Sequence, residues 1–206
     1  MKVLLINGSP RKHGCTYTAL AEVAAALEKK GVETEIMHLG AKPVSGCLAC
    51  GRCLQTGKCC IDDVVNVFLE KMDDFDGFVF GSPVHFASAS GMVTSFMDRA
   101  FYGRGARFAN KPAASVVSCR RGGASAAFDQ LNKYMAMSNM PVVSSQYWNQ
   151  VHGNNPEEVK QDLEGMQTMR TLGCNMAWLL QCLKAGKEAG IPLPEREPVI
   201  RTNFIR

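Results

Sequence analysis

Apolar residues are arranged along this chain in short runs that alternate with longer segments of helical spacing. Continuous runs at residues 2–6, 77–81 and 113–118 predict strands that are buried on both faces, as in a parallel sheet. Shorter patterns at residues 33–39 and 141–144 predict two further strands. The chain is therefore expected to hold five strands.

The segments between these runs carry apolar residues at helical spacing. The first helix is predicted from Thr16 to a C-cap at Gly31, and others near residues 64–72, 91–102 and 128–135. Asp62 or Asp63 is a candidate N-cap for the second helix. A long amphipathic helix is predicted from Pro156 to Lys187.

Strands that alternate with helices predict an α/β fold with a parallel sheet and helices on both faces. Right-handed crossovers then favour a doubly wound five-stranded sheet with strand order 2-1-3-4-5. We expect residues 1–206 to form a single domain, with a cysteine-rich loop at 46–60 and a C-terminal helix and tail at 156–206.

Composition excludes several classes of function. The 206 residues carry a formal charge of only +4, without a dense run of Lys or Arg that would indicate nucleic-acid or membrane binding. The sequence lacks a secretory signal pattern and an apolar stretch long enough for a membrane span, so we expect a cytoplasmic protein. In a reducing compartment, nine cysteines favour metal or redox chemistry over disulfides.

The loop after the first strand, residues 7–16, has the composition of an anion site. Gly8 and Gly14 let backbone N–H groups approach a ligand, Ser9 and Thr16 offer hydroxyls, and Arg11 adds positive charge. The following helix N-terminus favours an anion by ~0.3–1 kcal/mol. Because the loop lacks the nucleoside-triphosphate and dinucleotide patterns, a single phosphomonoester is the expected ligand.

Two other strand ends carry residues suited to a flat ring. Residues 81–91 contain Ser-Pro followed by Val84, His85 and Phe86, and residues 118–123 read Ser-Cys-Arg-Arg-Gly-Gly, where Arg120 can offset negative charge. Ligands bind beyond the carboxyl ends of strands in such sheets, so the three loops should meet at one edge. A phosphate site beside a flat-ring site predicts FMN as the cofactor.

Five of the nine cysteines lie within residues 46–60. Cys47, Cys50, Cys53 and Cys59 follow the spacing C-x2-C-x2-C-x5-C, and Cys60 is in excess. The compact x2 spacing suits a [4Fe-4S] cubane, as in ferredoxins. Four thiolates also suit tetrahedral zinc, although zinc ribbons usually place two such pairs well apart.

The chain resembles the flavodoxin-like NADPH-dependent FMN reductase family, and with its cysteines the iron-sulfur flavoprotein branch of that family. The resemblance covers residues 1 to about 184 and is carried by Gly8-Ser-Pro-Arg-Lys with Thr16, Gly81-Ser-Pro-Val with Ser90-Gly91, Phe96-Met-Asp-Arg99, and Arg121-Gly-Gly with Gln130-Leu-Asn132.

This resemblance implies a set of cofactor-binding residues. Ser9, Arg11, Cys15 and Thr16 would surround the FMN phosphate together with Gly14, and residues 83–86 and 118–123 would border the isoalloxazine. The ring-bordering candidates are Pro83, Val84, His85, Phe86, Ser118, Cys119, Arg120, Gly122 and Gly123.

The sequence departs from the family pattern at two of these positions. The family often has Asn where this chain has Cys15, which removes one side-chain contact to phosphate but leaves the backbone N–H. It often has Tyr at the position of His85, which changes stacking beside the flavin. Related flavin reductases also carry a Gly-Cys-x-x-Cys loop without a cluster, and Cys53 favours the cluster here.

The expected activity is an FMN-dependent oxidoreductase that takes a hydride from NAD(P)H and reduces a flavin, a quinone, another small acceptor or ferredoxin. The cofactor supplies this chemistry, so no catalytic acid, base or nucleophile of the protein is predicted. The alternatives are a non-enzymatic electron carrier that exchanges electrons with ferredoxin, and a redox sensor that uses the thiols. The eleven methionines and a long C-terminal helix with Trp178 offer more apolar area than one five-stranded sheet needs, and together with the resemblance they predict a homodimer or tetramer.

Overall fold

The computed structural model describes residues 1–205, apart from the side chain of Arg104, and the predicted domain boundary at Arg206 lies outside them. The strands are β1 (Lys2–Asn7), β2 (Glu33–His38), β3 (Gly77–His85), β4 (Ser88–Ala89), β5 (Ala113–Cys119) and β6 (Gln150–His152). The helices are α1 (Cys15–Glu28), α2 (Arg52–Thr56), α3 (Val64–Lys71), α4 (Gly91–Phe108), α5 (Ala124–Met137), α6 (Pro156–Gln161) and α7 (Leu163–Glu188).

The five main strands are parallel and lie in the order β2-β1-β3-β5-β6, while the short β4 pairs antiparallel with the end of β3. The predicted doubly wound order is therefore confirmed. Alternate residues of β1 enter two cores: Leu4 and Ile6 face the side covered by α3, α4 and α5, and Val3 and Leu5 face α1 and α7. Both faces of the sheet are thus buried, as the continuous apolar runs predicted.

The fifth strand is misplaced in the sequence prediction. Residues 141–144 form only an isolated bridge, in which Val142 pairs with Ala113, and the strand that completes the sheet is β6. Pro141 has no N–H to donate, and the polar stretch after Val143 leaves the sheet before Gln150 rejoins it. The last strand pairing is therefore split between two segments.

The long C-terminal helix is also interrupted. Asp162 separates α6 from α7, because its carboxylate caps α7 by accepting from the N–H of Gly165 at 2.9 Å and also accepts from the N–H of His152 at 2.7 Å.

Two other helices also differ from the prediction. The helix α4 runs six residues past the predicted end at 102, to Phe108, and the short α2 within the cysteine segment was not predicted.

The predicted cap of α3 is confirmed, since Asp63 accepts from the N–H of Val65. The predicted C-cap of α1 is two residues late, because the helix ends at Glu28 with Lys29 as its C-cap. Gly31, with a left-handed φ of 77°, closes the turn that follows. Of the helices that the structure describes, none is both long and apolar enough to cross a membrane.

Candidate functional site

A cavity of about 300 Å³ opens at the carboxyl edge of the sheet, where β1, β3, β5 and β6 end. Ten residues predicted to bind the cofactor line it: Ser9, Arg11, Cys15, Thr16, Pro83, Val84, His85, Ser118, Cys119 and Arg120. The structure thus brings together the three loops that the sequence placed at one edge. Gly14, Phe86, Gly122 and Gly123 lie next to these residues but are not among those that line the cavity.

The loop after β1 is a compact turn held by its own side chains. Asn7 Oδ1 accepts from the N–H of Ser9 at 3.1 Å, and Ser9 Oγ accepts from the N–H of Arg11 at 3.2 Å. The helix α1 follows with Gly14 as its N-cap and without a side-chain cap. Its first N–H groups therefore remain available to an anion at the point where the helix dipole favours negative charge.

Two hydrogen bonds tie this loop to the neighbouring strand ends. Thr16 Oγ1 lies 2.8 Å from Ser118 Oγ in a buried pair, and the Cys15 thiol donates to the carbonyl of Gly153 at 3.5 Å. Burial raises the pKa of both Cys15 and Cys119. These two thiols are therefore neutral at neutral pH, which keeps thiolate charge away from a bound phosphate or ring.

The hairpin formed by β3 and β4 carries the second loop. Phe86 and Ala87 have positive φ values of 50° and 57°, the pattern of a two-residue type I′ turn that normally uses Asn or Gly. Gln130 Oε1 accepts from Ser88 Oγ at 2.7 Å and from the N–H of Ala89 at 2.9 Å, which anchors the hairpin to α5. Phe86 projects fully exposed from the tip.

Gly123 explains how the third loop approaches this hairpin. Its φ of 89° disfavours other residues, and an added Cβ would lie 2.6 Å from the Cα of Ala87. Glycine at this position therefore allows the third loop to pack closely against the β3–β4 hairpin.

Sequence reasoning missed three residues that line the cavity, Pro10, Gly153 and Asn154. Gly153 and Asn154 directly follow β6, and Gly153 donates its N–H to the carbonyl of Cys119 at 3.0 Å. The strand-end rule would have identified both residues if the last strand had been placed at residues 150–152.

The cysteine segment forms a second site. Cys47, Cys50, Cys53, Cys59 and Cys60 line one small cavity together with Arg99 and Tyr102 of α4. Within the described residues, no three His, Cys, Asp or Glu side chains are arranged to hold a single metal ion. The five thiols share the lining of this one cavity.

Arg99 anchors this segment, although it is buried to 2% exposure. Its guanidinium donates to both carboxylate oxygens of Asp63, at 2.7 and 2.8 Å, and its Nε lies 3.2 Å from Cys59 Sγ. It also donates to the carbonyls of Ser45 at 3.3 Å and Ile61 at 2.9 Å. One side chain thus fixes both ends of the cysteine segment against α4.

Gly103 leaves the space that Cys53 occupies. A Cβ at this position would lie 2.5 Å from Cys53 Sγ. The cysteine site therefore depends on α4, whose N-cap Ser90 donates its hydroxyl to the carbonyl of Gly8 beside the first cavity at 3.3 Å. From Gly91 to Arg99 the helix rises about 12 Å, so one helix spans both sites.

Comparison with known proteins identifies the family of the chain. Residues 1–155 match the family model of NADPH-dependent FMN reductase. An iron-sulfur flavoprotein of Methanocaldococcus jannaschii is 34% identical over 192 residues, which cover 89% of this chain and 100% of that protein. An iron-sulfur flavoprotein of Methanosarcina thermophila is 28% identical over 193 residues, 91% of this chain and 100% of that protein.

Solved structures share the fold at low sequence identity. RosB with bound 8-demethyl-8-formylriboflavin-5'-phosphate superposes with a TM-score of 0.68 at 16% identity, covering 100% of this chain and 92% of that one. A flavodoxin from the domain Archaea gives a TM-score of 0.60 at 14% identity, covering 88% and 99% of the two chains. With the family match and the curated relatives, these findings show that the chain belongs to the NADPH-dependent FMN reductase family and is a flavoprotein that works as an oxidoreductase or electron carrier.

Proposed function

We propose that this protein is an FMN-dependent oxidoreductase that accepts electrons from NAD(P)H and passes them to a small acceptor or to ferredoxin, with a [4Fe-4S] cluster held by Cys47, Cys50, Cys53 and Cys59. The observation that carries the proposal is the cavity in which the ends of four parallel strands meet the open N-terminus of α1. Its volume of about 300 Å³ is at the lower end of the range of ligand pockets.

The residues of this cavity suit the two ends of FMN. The turn around Ser9, the uncapped α1 and the Arg11 side chain fit a phosphate, because they offer N–H groups and positive charge. Pro83 and Val84 contribute apolar surface to the lining, and Arg120 contributes a second cation. The neutral thiol of Cys15 does not repel the phosphate, and the neutral thiol of Cys119 fits an uncharged ring surface.

The cysteine site suits an iron-sulfur cluster better than a single zinc ion. Zinc needs four sulfurs about 2.3 Å from one point, whereas a cubane takes one sulfur at each of four separate corners. Thiols that line one shared cavity match the requirement of the cubane. The Arg99 guanidinium next to Cys59 would offset the negative charge of the thiolates. The names of the relatives support the same assignment.

When bound, FMN supplies hydride acceptance and the cluster supplies one-electron transfer. The protein's own residues would bind the two cofactors and orient them. The turn between Asn7 and Arg11 would fix the phosphate end, and the hairpin anchored by Gln130 would fix the plane of the ring. Orientation of this kind provides most of the acceleration in such reactions, since the reacting groups are held at short distance.

The test is a spectrum of anaerobically purified protein with iron and sulfide analysis, followed by stopped-flow mixing. We expect flavin absorption, about four irons per chain, and rapid bleaching of the flavin by NADPH or NADH. Reduction by dithionite or reduced ferredoxin but not by NAD(P)H would favour the alternative electron carrier. Colourless protein that does not bind added FMN at micromolar concentration would contradict the proposal.

We also propose that the protein assembles as a homodimer or tetramer. Trp178 on α7 is 66% exposed and Met137 on α5 is 93% exposed, so both offer apolar surface that a second chain could cover. Light scattering after size-exclusion chromatography tests this, and a mass of one chain at micromolar concentration would contradict it.

A further inference from the structure

The cysteine segment holds one thiol more than a four-ligand cluster needs. The structure places Cys60 Sγ only 3.4 Å from Cys50 Sγ, and both residues are exposed. In contrast, Cys53 and Cys59 are partly buried, the first against Gly103 and the second against Arg99. Cys50 and Cys60 are therefore a solvent-facing thiol pair at the rim of the site.

The pair can come together without disturbing the core. A disulfide requires a sulfur–sulfur distance of about 2.05 Å, so the two atoms must approach by roughly 1.4 Å. Cys50 lies between Ala49 and Gly51, whose φ values of 51° and 70° make a tight turn, and the following helix α2 has no buried residue. Movement of this surface segment would therefore not disturb buried side chains of α2.

We propose that Cys50 and Cys60 form a reversible disulfide when the metal site is empty. With hydrogen peroxide as the oxidant, one thiolate is oxidised to a sulfenic acid as peroxide is reduced and releases hydroxide. The second thiol then attacks that sulfur, forms the S–S bond and displaces water. In sum, two thiols lose two electrons and two protons, and one peroxide becomes two molecules of water.

This inference rests on the proposed function in one respect, the role of Cys50 as a cluster ligand. A sulfur bonded to iron cannot also bond to Cys60, so the cluster and the disulfide exclude each other. The disulfide would protect Cys50 from irreversible oxidation to sulfinic acid, and thiol reduction would return it to the state that accepts a cluster. Cys60 is then a resolving cysteine and not a fifth ligand.

The experiment compares the full-length protein with its Cys60→Ser variant, and with Cys182→Ser as the matched control because Cys182 is exposed on α7. Each protein is stripped of metal with a chelator, treated with hydrogen peroxide, and digested under non-reducing conditions. Trypsin cleaves after Arg52 and Lys58, and chymotrypsin after Leu48, so fragment masses separate Cys50 from Cys47 and Cys53. Tandem fragmentation of the linked peptide that begins at Cys59 then distinguishes Cys59 from Cys60 as the partner.

We expect wild type and Cys182→Ser to lose two thiols to a Cys50–Cys60 disulfide and to recover cluster loading after reduction with dithiothreitol. Cys60→Ser should load a cluster normally before treatment, but after treatment it should carry sulfinic acid at Cys50 and lose most of its loading. A disulfide from Cys50 to another cysteine, or equal recovery in Cys60→Ser, would overturn the inference. If the disulfide forms but no variant binds iron, the modification site stands and the proposed cluster fails.

Discussion

The two sites of this protein are built in different ways. The cavity at the sheet edge is made from the ends of buried strands and from backbone turns, whose positions are fixed by sheet hydrogen bonds. The cysteine segment, residues 46–60, contains only a short helix without buried residues and is held mainly through two buried side chains, Arg99 of α4 and Asn66 of α3, which hydrogen-bonds both backbone groups of Cys59. The first site therefore depends on backbone geometry, whereas the second depends on a few long-range side-chain contacts.

The two sites should therefore respond differently to amino-acid substitutions. Damage to the sheet edge should affect stability and ligand binding together, because the same backbone supports both. Apart from the buried Arg99, the cysteine site should be separable from the fold, since its cysteines lie in a surface segment packed against α4. The following predictions test this difference.

The largest effect is expected from removal of the Arg99 guanidinium. Arg99→Met leaves the Asp63 carboxylate without its bidentate partner, and breaking a buried pair in this way costs about 3–5 kcal/mol. Iron content should fall along with stability, as measured by urea unfolding under anaerobic conditions. The matched control is Arg107→Met, which removes the more exposed pair with Asp73 and should cost ~0–1 kcal/mol. Equal losses in the two variants would show that Arg99 does not anchor the segment.

A smaller loss is expected from Gly8→Ala at the sheet edge. The added Cβ would lie 2.8 Å from the carbonyl of Gly81 and 1.9 Å from Val93 Cγ2, so the first loop must shift. Overpacking of this kind costs about 1–3 kcal/mol, and FMN affinity measured by fluorescence quenching should fall with it. Gly91→Ala is the control, because a Cβ there meets open space. Unchanged FMN affinity in Gly8→Ala would contradict the coupling of fold and cavity.

Gly103→Ala should reduce iron binding without reducing the stability of the fold. The Cβ displaces Cys53, so iron binding should be largely lost. Stability should stay the same or rise by about 0.5–1 kcal/mol, because alanine replaces glycine inside a helix. FMN content should not change. Gly105→Ala on the same helix meets nothing closer than Ser138 Oγ at 3.6 Å and should retain its iron. Full iron content in Gly103→Ala would be inconsistent with this packing.

The smallest effect concerns thiol reactivity in metal-free, reduced protein. The backbone N–H of Arg52 lowers the pKa of Cys50, whereas burial raises the pKa of Cys119. Because the thiolate is the nucleophile, iodoacetamide should label Cys50 faster at pH 7, and the rate at Cys119 should keep rising at higher pH after that at Cys50 has levelled off. Peptide mass spectrometry measures both rates. Equal labelling rates and equal pH profiles at the two cysteines would contradict the predicted difference between their pKa values.

Local patterns in the sequence were sufficient for most of the fold. The buried runs at β1, β3 and β5, the cap at Asp63 and the glycine turn that follows α1 depend on neighbouring residues, so they could be predicted. The fifth strand could not, because its two short pairings with β5 carry little apolar periodicity of their own. The same error hid Gly153 and Asn154 from the predicted cavity.

The sequence by itself determined that the loops after β1, β3 and β5 meet at the sheet edge and which cysteines are spaced for a cluster, since the carboxyl ends of parallel strands share an edge and residue spacing is a property of the chain. Only the tertiary structure decided how the cysteine segment is held. Arg99 is 36 residues from Asp63 and 54 from Ser45, and Cys60 is 10 residues from the thiol it approaches. Contacts across such separations follow from the packing of α4 against the segment, which no local pattern records.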